Sequence, residues 1–159
     1  MNSVSDYLNL NLSYRDFYIK NNNEINKNKI SIEDLFYFVS EDVDILLPLV
    51  GVVSKNCGYK YWKDAIFIML ISDKKDISIC KDIYPAIAKK YNKTAAAIER
   101  AMRLSLEPAM YYVSKSEDNV VGEYLKDSLL NPHNKEILIK LTELISSVKF
   151  HEIKNKFIK

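Results

Sequence analysis

The side chains best suited to chemistry in this sequence lie between residues 89 and 103. Lys89, Lys90, Lys93, Arg100 and Arg103 bring five positive charges together there, with Glu99 as the one acid among them. An arginine is a planar fork of donors that matches the O6/N7 edge of guanine, and a glutamate accepts from the amino group of cytosine. Lysines meet phosphate as point charges. That is the chemistry of recognising a nucleic acid. No Ser/His/Asp or Cys/His set, phosphate-cradling loop or metal-ligand spacing accompanies it, so the chain is not expected to be an enzyme. His133, His151, Cys57 and Cys80 are not paired at ligand spacing, and neither a metal nor another cofactor is expected.

These residues need a scaffold, and the stretch Ile83–Met110, IYPAIAKKYNKTAAAIERAMRLSLEPAM, supplies a candidate. Ile83, Ile87 and Ala88 recur at helical spacing before the polar turn Tyr91-Asn92-Lys93-Thr94. Ala95, Ile98, Ala101, Met102 and Leu106 mark one apolar face after it. Ala88 is small enough to let two helices cross, and Asn92 is the best non-glycine residue for a left-handed turn position. The Thr94 hydroxyl can cap the second helix, and Ile98 can pack back on the first. The pattern is that of a helix-turn-helix, whose second helix enters the major groove by its N-terminal half. Ala96, Ala97, Glu99, Arg100 and Arg103 then face base edges. Lys89, Lys90, Lys93 and Thr94, with the first amides of the second helix, face phosphates. For Glu99 and Arg103 the ordinary alternative is a surface ion pair at i,i+4.

Composition supports the same placement. The chain has 159 residues, 48% of them apolar, with three glycines and four prolines. So few turn-formers argue for an all-α fold. The formal charge of +2 is unevenly spread: net −4 over residues 1–50, +2 over 51–80, +4 over 81–103 and zero over 104–159. The basic block coincides with the helix-turn-helix, as an anionic partner contacted on one face requires. The longest apolar run, Ala65–Ile71, is far short of the roughly 20 residues of a membrane span, and no signal peptide opens the chain. A soluble cytoplasmic protein with reduced thiols and no membrane contact is expected.

Taken in order, the chain predicts a short helix at Tyr14–Lys20, a loop over 21–28, and a helix capped by Ser31 with Leu35, Phe36, Phe38 and Val39 on its apolar side. A separate helix is expected over Asp42–Val53, with Pro48 breaking or restarting it. Gly51–Gly58 reads as a turn and Tyr59–Ile71 as a buried helix. Polar linkers at 72–76 and 114–119 flank the central unit. Further helices are predicted around Val120–Leu129 and Ile137–Val148, separated by a turn at 131–134, and the basic tail 149–159 is expected to fray. Three parts result: an acidic extension (1–42), a helical domain (43–148) and the tail (149–159).

GYKYWKDAI (58–66) followed by IYPAIAKKYNKTAAAIERAMR (83–103) resembles the C-terminal DNA-binding effector domain of the stage-zero sporulation response regulator family of endospore-forming Firmicutes. The family pattern is approximately GYxYLRxAI, then LYPxIAKKYNTTxSRVERAIRHAIE. The resemblance is specific across Gly58–Arg103 and looser over about 43–147. It implies a multi-helix domain of about six helices that reads a short promoter box in double-stranded DNA, often as tandem copies. It also implies contact with an RNA polymerase sigma subunit, and homodimerisation or pairing with the full-length regulator. Lys89, Lys90, Glu99, Arg100 and Arg103 match family positions. Ala96-Ala97 stand where the family has Ser-Arg, and that arginine reads a base. One lost bidentate contact amounts to about 1–3 kcal/mol of discrimination. Leu104 stands at a family histidine, and Pro108 is expected to kink or end the recognition helix.

The family's phosphoacceptor receiver is an α/β domain, and residues 1–42 carry no alternating strand-helix pattern. Phosphorylation-independent, sequence-specific transcription regulation is therefore expected. The competing expectation is a protein-interaction modulator that pairs with or antagonises the full-length regulator and binds DNA weakly.

Overall fold

A computed structural model describes residues 14–22, 30–72, 77–109, 111 and 120–157. The fold is all-α. In chain order come α1 (Tyr14–Asn21), α2 (Ile32–Leu49), α3 (Gly58–Ile71), α4 (Tyr84–Tyr91), α5 (Ala95–Ser105), α6 (Val120–Leu130), α7 (Asn134–Ser146) and α8 (Val148–Phe157). Expectations that fall on 1–13, 23–29, 73–76, 110, 112–119 and 158–159 lie outside the described residues.

Local sequence explains most helix ends. The Ser31 hydroxyl accepts from the Asp34 amide at 3.1 Å, and Glu33 and Asp34 sit at the positive end of the α2 dipole. α2 does not break before Pro48, contrary to the two-helix expectation. It runs unbroken from Ile32 and stops one residue after the proline. Pro48 costs a hydrogen bond only in the last turn, where α2 is ending in any case. Gly51 follows with φ 87, and its N–H reaches the Pro48 carbonyl at 3.1 Å. That conformation is open to glycine without strain.

Before α4 lies a wide π-type turn, Ile79–Ile83. Ser78 caps it: its hydroxyl accepts from the Lys81 N–H at 3.1 Å, while its own N–H donates to the Asp82 carboxylate at 2.8 Å. Pro85 sits in the first turn of α4, where no N–H is needed.

α3 is the central helix and packs against α1, α2, α4, α5 and α7. Its Trp62, Ala65, Ile66 and Leu70 are fully sealed in a core shared with Leu46, Leu47, Ile83, Ile98, Met102, Leu138, Leu141 and Ile145. A fully buried aliphatic or aromatic side chain contributes roughly 1.5–3 kcal/mol, so this one cluster dominates stability.

The tail is the second difference from expectation. Residues 149–157 do not fray; they continue α8, with Phe150 fully buried and His151 and Lys154 nearly so. Lys154 Nζ meets Asp42 Oδ1 at 3.1 Å, and the Tyr18 hydroxyl donates to the other Asp42 oxygen. One carboxylate thus fastens α1 and α8 to α2.

Candidate nucleic-acid interface

α4 and α5 form the expected helix-turn-helix, and the turn follows from its residues. Asn92 alone among the described non-glycine residues has a positive φ, with φ 55 and ψ 50. Asparagine tolerates that left-handed geometry better than most residues. The Lys93 N–H closes on the Ala88 carbonyl at 2.9 Å, finishing α4. Thr94 is extended, and its hydroxyl accepts from the Ala97 N–H at 3.1 Å, starting α5. Ile98 and Met102 are fully buried beneath α5, and Ala88 lets the helices approach.

Three contacts fix α5 against the body. Gly58 on α3 lies so near α5 that an added Cβ would stand 2.4 Å from the Ala101 carbonyl oxygen and 2.8 Å from Ser105 Cβ. The Trp62 indole N–H donates to Ser105 Oγ at 2.8 Å and approaches the Met102 carbonyl at 3.1 Å. From α7, Asn134 Nδ2 donates to the Glu99 carbonyl at 3.1 Å and to the Tyr84 hydroxyl at 2.9 Å. α5 is thereby held by α3 and α7 while its opposite face stays open.

That open face carries the sequence-predicted residues. Ala96, Ala97, Arg100 and Arg103 are exposed and Glu99 is half-buried. Arg103 Nε donates to Glu99 Oε1 at 2.9 Å, so the i,i+4 pair does form. Arg100 has no ion pair among the described residues, which leaves its fork of donors on offer. α5 ends at Ser105, and after a turn at Leu106 the chain is helical again over 107–109, with Pro108 at the start of that stretch, where a missing N–H costs little.

At the turn, Lys89, Lys90, Lys93 and Thr94 are all exposed. Their charges are not equivalent. Lys90 Nζ lies 3.0 Å from Asp64 Oδ1, and the Tyr91 hydroxyl donates to Asp64 Oδ2 at 2.6 Å. Burial, then the Asp64 carboxylate, pushes the Tyr91 phenol upward and keeps it a donor. Lys89 and Lys93 have no such partner among the described residues. The interface thus offers three unpaired cations, Lys89, Lys93 and Arg100, beside two internally balanced ones, Lys90 and Arg103.

Sequence reasoning missed the residues that set this arrangement: Gly58, Asp64 and Asn134. Asp64 left a trace, being an acid within an otherwise apolar helix, where it is buried to 7% exposure. Gly58 showed only as the first position of the family pattern, with no sign of its packing role, and Asn134 left no trace, because their partners lie far along the chain.

Among the described residues no helix is long and apolar enough to cross a membrane, and no group of His, Cys, Asp and Glu could hold a metal ion. No solved structure matches the chain. A family model described as "Sporulation initiation factor Spo0A C terminal" matches residues 43–145, well over half of the 159. That span runs from within α2 almost to the end of α7 and contains the whole helix-turn-helix. The chain therefore belongs to the Spo0A C-terminal family of sporulation initiation factors, whose helical domain is a DNA-binding domain of transcription regulation.

Proposed function

We propose that this chain is a sequence-specific regulator that binds double-stranded promoter DNA through α5 and needs no aspartyl phosphate at Asp42 or Asp44. The reading rests chiefly on α5, anchored on its inner side and open on its outer side, with Arg100 exposed and without an ion pair among the described residues. Arg100 takes a guanine edge. Ala96 and Ala97 offer only methyl groups, which suit the 5-methyl of thymine. Glu99 and Arg103 act as a pair, Glu99 orienting the Arg103 guanidinium toward a base or phosphate. Lys89 and Lys93 meet phosphates, joined by the amides at the Thr94 end of α5. Asp42 is spent on Lys154 and Tyr18, and Asp44 on Lys63 and Tyr59, which supports independence from phosphorylation at either.

The second reading is a partner or antagonist of a full-length regulator that binds DNA weakly. The Glu99–Arg103 pair favours it, because an internally satisfied arginine offers less to a base. Selection of duplexes from a random pool separates the two. A recovered consensus that outcompetes scrambled DNA supports the first reading; salt-sensitive binding without a consensus, or no binding, supports the second.

A further inference from the structure

Lys60 lies in the first turn of α3, outside the helix-turn-helix, with its side chain exposed. Its ammonium stands 4.7 Å from the Tyr91 ring centroid and 5.4 Å from that of Tyr61. The two rings meet edge to face with centroids 5.2 Å apart. Tyr91 is fixed in turn by its hydroxyl on the buried Asp64 carboxylate. It is the last residue of α4 and adjoins Asn92, so Lys60 holds its charge beside the turn that leads into α5.

Neighbouring lysines show what is unusual here. Lys90 also lies against the Tyr91 ring, at 5.2 Å, but its charge is balanced by Asp64. Lys63, three residues on, is balanced by Asp44 at 2.9 Å. Lys60 has no carboxylate partner among the described residues. Two aromatic faces hold its ammonium in place without neutralising it. A cation held in place but left unbalanced is suited to an anion from outside.

We propose that Lys60 is a DNA-backbone contact whose ammonium, held over Tyr61 and Tyr91, takes a phosphate and extends the phosphate-binding edge from α4 onto α3. The inference rests on the DNA-binding reading above. Lys60 carries affinity and no sequence information, because phosphates are alike at every step of the duplex.

The test is a set of salt-series titrations of the full chain with its selected duplex and a scrambled one, for wild type, Lys60→Gln, Lys60→Arg, Lys63→Gln and Arg100→Ala. Lys60→Gln is expected to weaken both duplexes by the same factor, roughly three- to tenfold near 0.1 M salt, and to lower the salt slope by about one. Lys60→Arg restores the slope, and Lys63→Gln leaves slope and affinity unchanged. Each slope comes from one variant's own series, so a small change in stability does not move it. If Lys60→Gln keeps the wild-type slope while Arg100→Ala still loses affinity, the Lys60 contact is overturned and DNA binding stands. Loss of discrimination with an unchanged slope overturns it as well. If wild type binds neither duplex at low salt, the Lys60 contact and the DNA-binding reading it rests on fall together.

Discussion

Lys154 Nζ lies 3.1 Å from Asp42 Oδ1, and both side chains are almost sealed from solvent. Each charge is tolerable there only because the other is present. Asp42→Asn keeps an acceptor for Tyr18 but strands the ammonium of Lys154. Removing one member of a buried pair costs about 3–5 kcal/mol, a large part of the roughly 5–15 kcal/mol that folds a domain. Urea unfolding is expected to show that loss, and Asp42→Asn with Lys154→Met is expected to recover much of it. An unchanged midpoint in Asp42→Asn would contradict the role assigned to this pair.

Gly58→Ala brings two effects of opposite sign into competition. Alanine in a helix is ordinarily worth about 0.5–1 kcal/mol over glycine. Here its Cβ would meet the Ala101 backbone oxygen at 2.4 Å, and backbone cannot swing away as a side-chain tip does. The clash wins, at about 1–3 kcal/mol or more, by pushing α5 off α3. Thermal melts should show the loss, and DNA affinity should fall with it. A variant as stable as wild type would mean that α5 is not seated as described.

His151 predicts an acid-side loss of stability. Burial, then the Lys154 charge, pulls its imidazole from the ordinary 6.5 down to about 4, and its Nε2 has no hydrogen-bond partner among the described residues. Between those values the unfolded chain takes up a proton that the folded chain refuses. The contribution is therefore whole above pH 6.5, falls as pH drops from 6.5 to 4, and is flat below. Its size is at most about 3 kcal/mol. Urea midpoints across this window should fall less steeply for His151→Leu than for wild type. Parallel profiles would show that His151 is not the titrating group.

Asp64→Asn is expected to cost stability and gain DNA affinity together. The charged hydrogen bonds to Tyr91 and Lys90 weaken, at about 1.5–3 kcal/mol. Lys90, half-exposed, then carries an unbalanced charge at the turn. Non-specific affinity should rise and the salt slope should steepen by up to about one. A weaker, shallower response would place Asp64 in DNA binding by another route.

The helix-turn-helix was legible because its determinants are local. Asn92, Thr94 and the spacing of Ile87, Ala88, Ile98 and Met102 all act within one or two turns of where they stand. The α2 start at Ser31 was legible for the same reason. What escaped depends on distant partners. Residues 149–157 look like a solvated basic tail until Lys154 finds Asp42 and Phe150 enters the core. Charge counts also hid the sorting of cations, since Lys89 and Lys90 are adjacent in sequence yet only Lys90 meets a buried acid. The boundary expected at Asp42 was the misreading; Pro48 does stand in the last turn, one residue before α2 ends.

The central claim, that α5 reads base edges while the turn holds phosphate, is tested most directly by comparing Arg100→Ala with Lys89→Ala on selected and scrambled duplexes across salt. Arg100→Ala should lose about 1–3 kcal/mol on the selected duplex and much less on the scrambled one, relaxing specificity. Lys89→Ala should weaken both alike and reduce the salt slope by about one. Equal losses on both duplexes from Arg100→Ala, or selective loss from Lys89→Ala, would contradict the assignment.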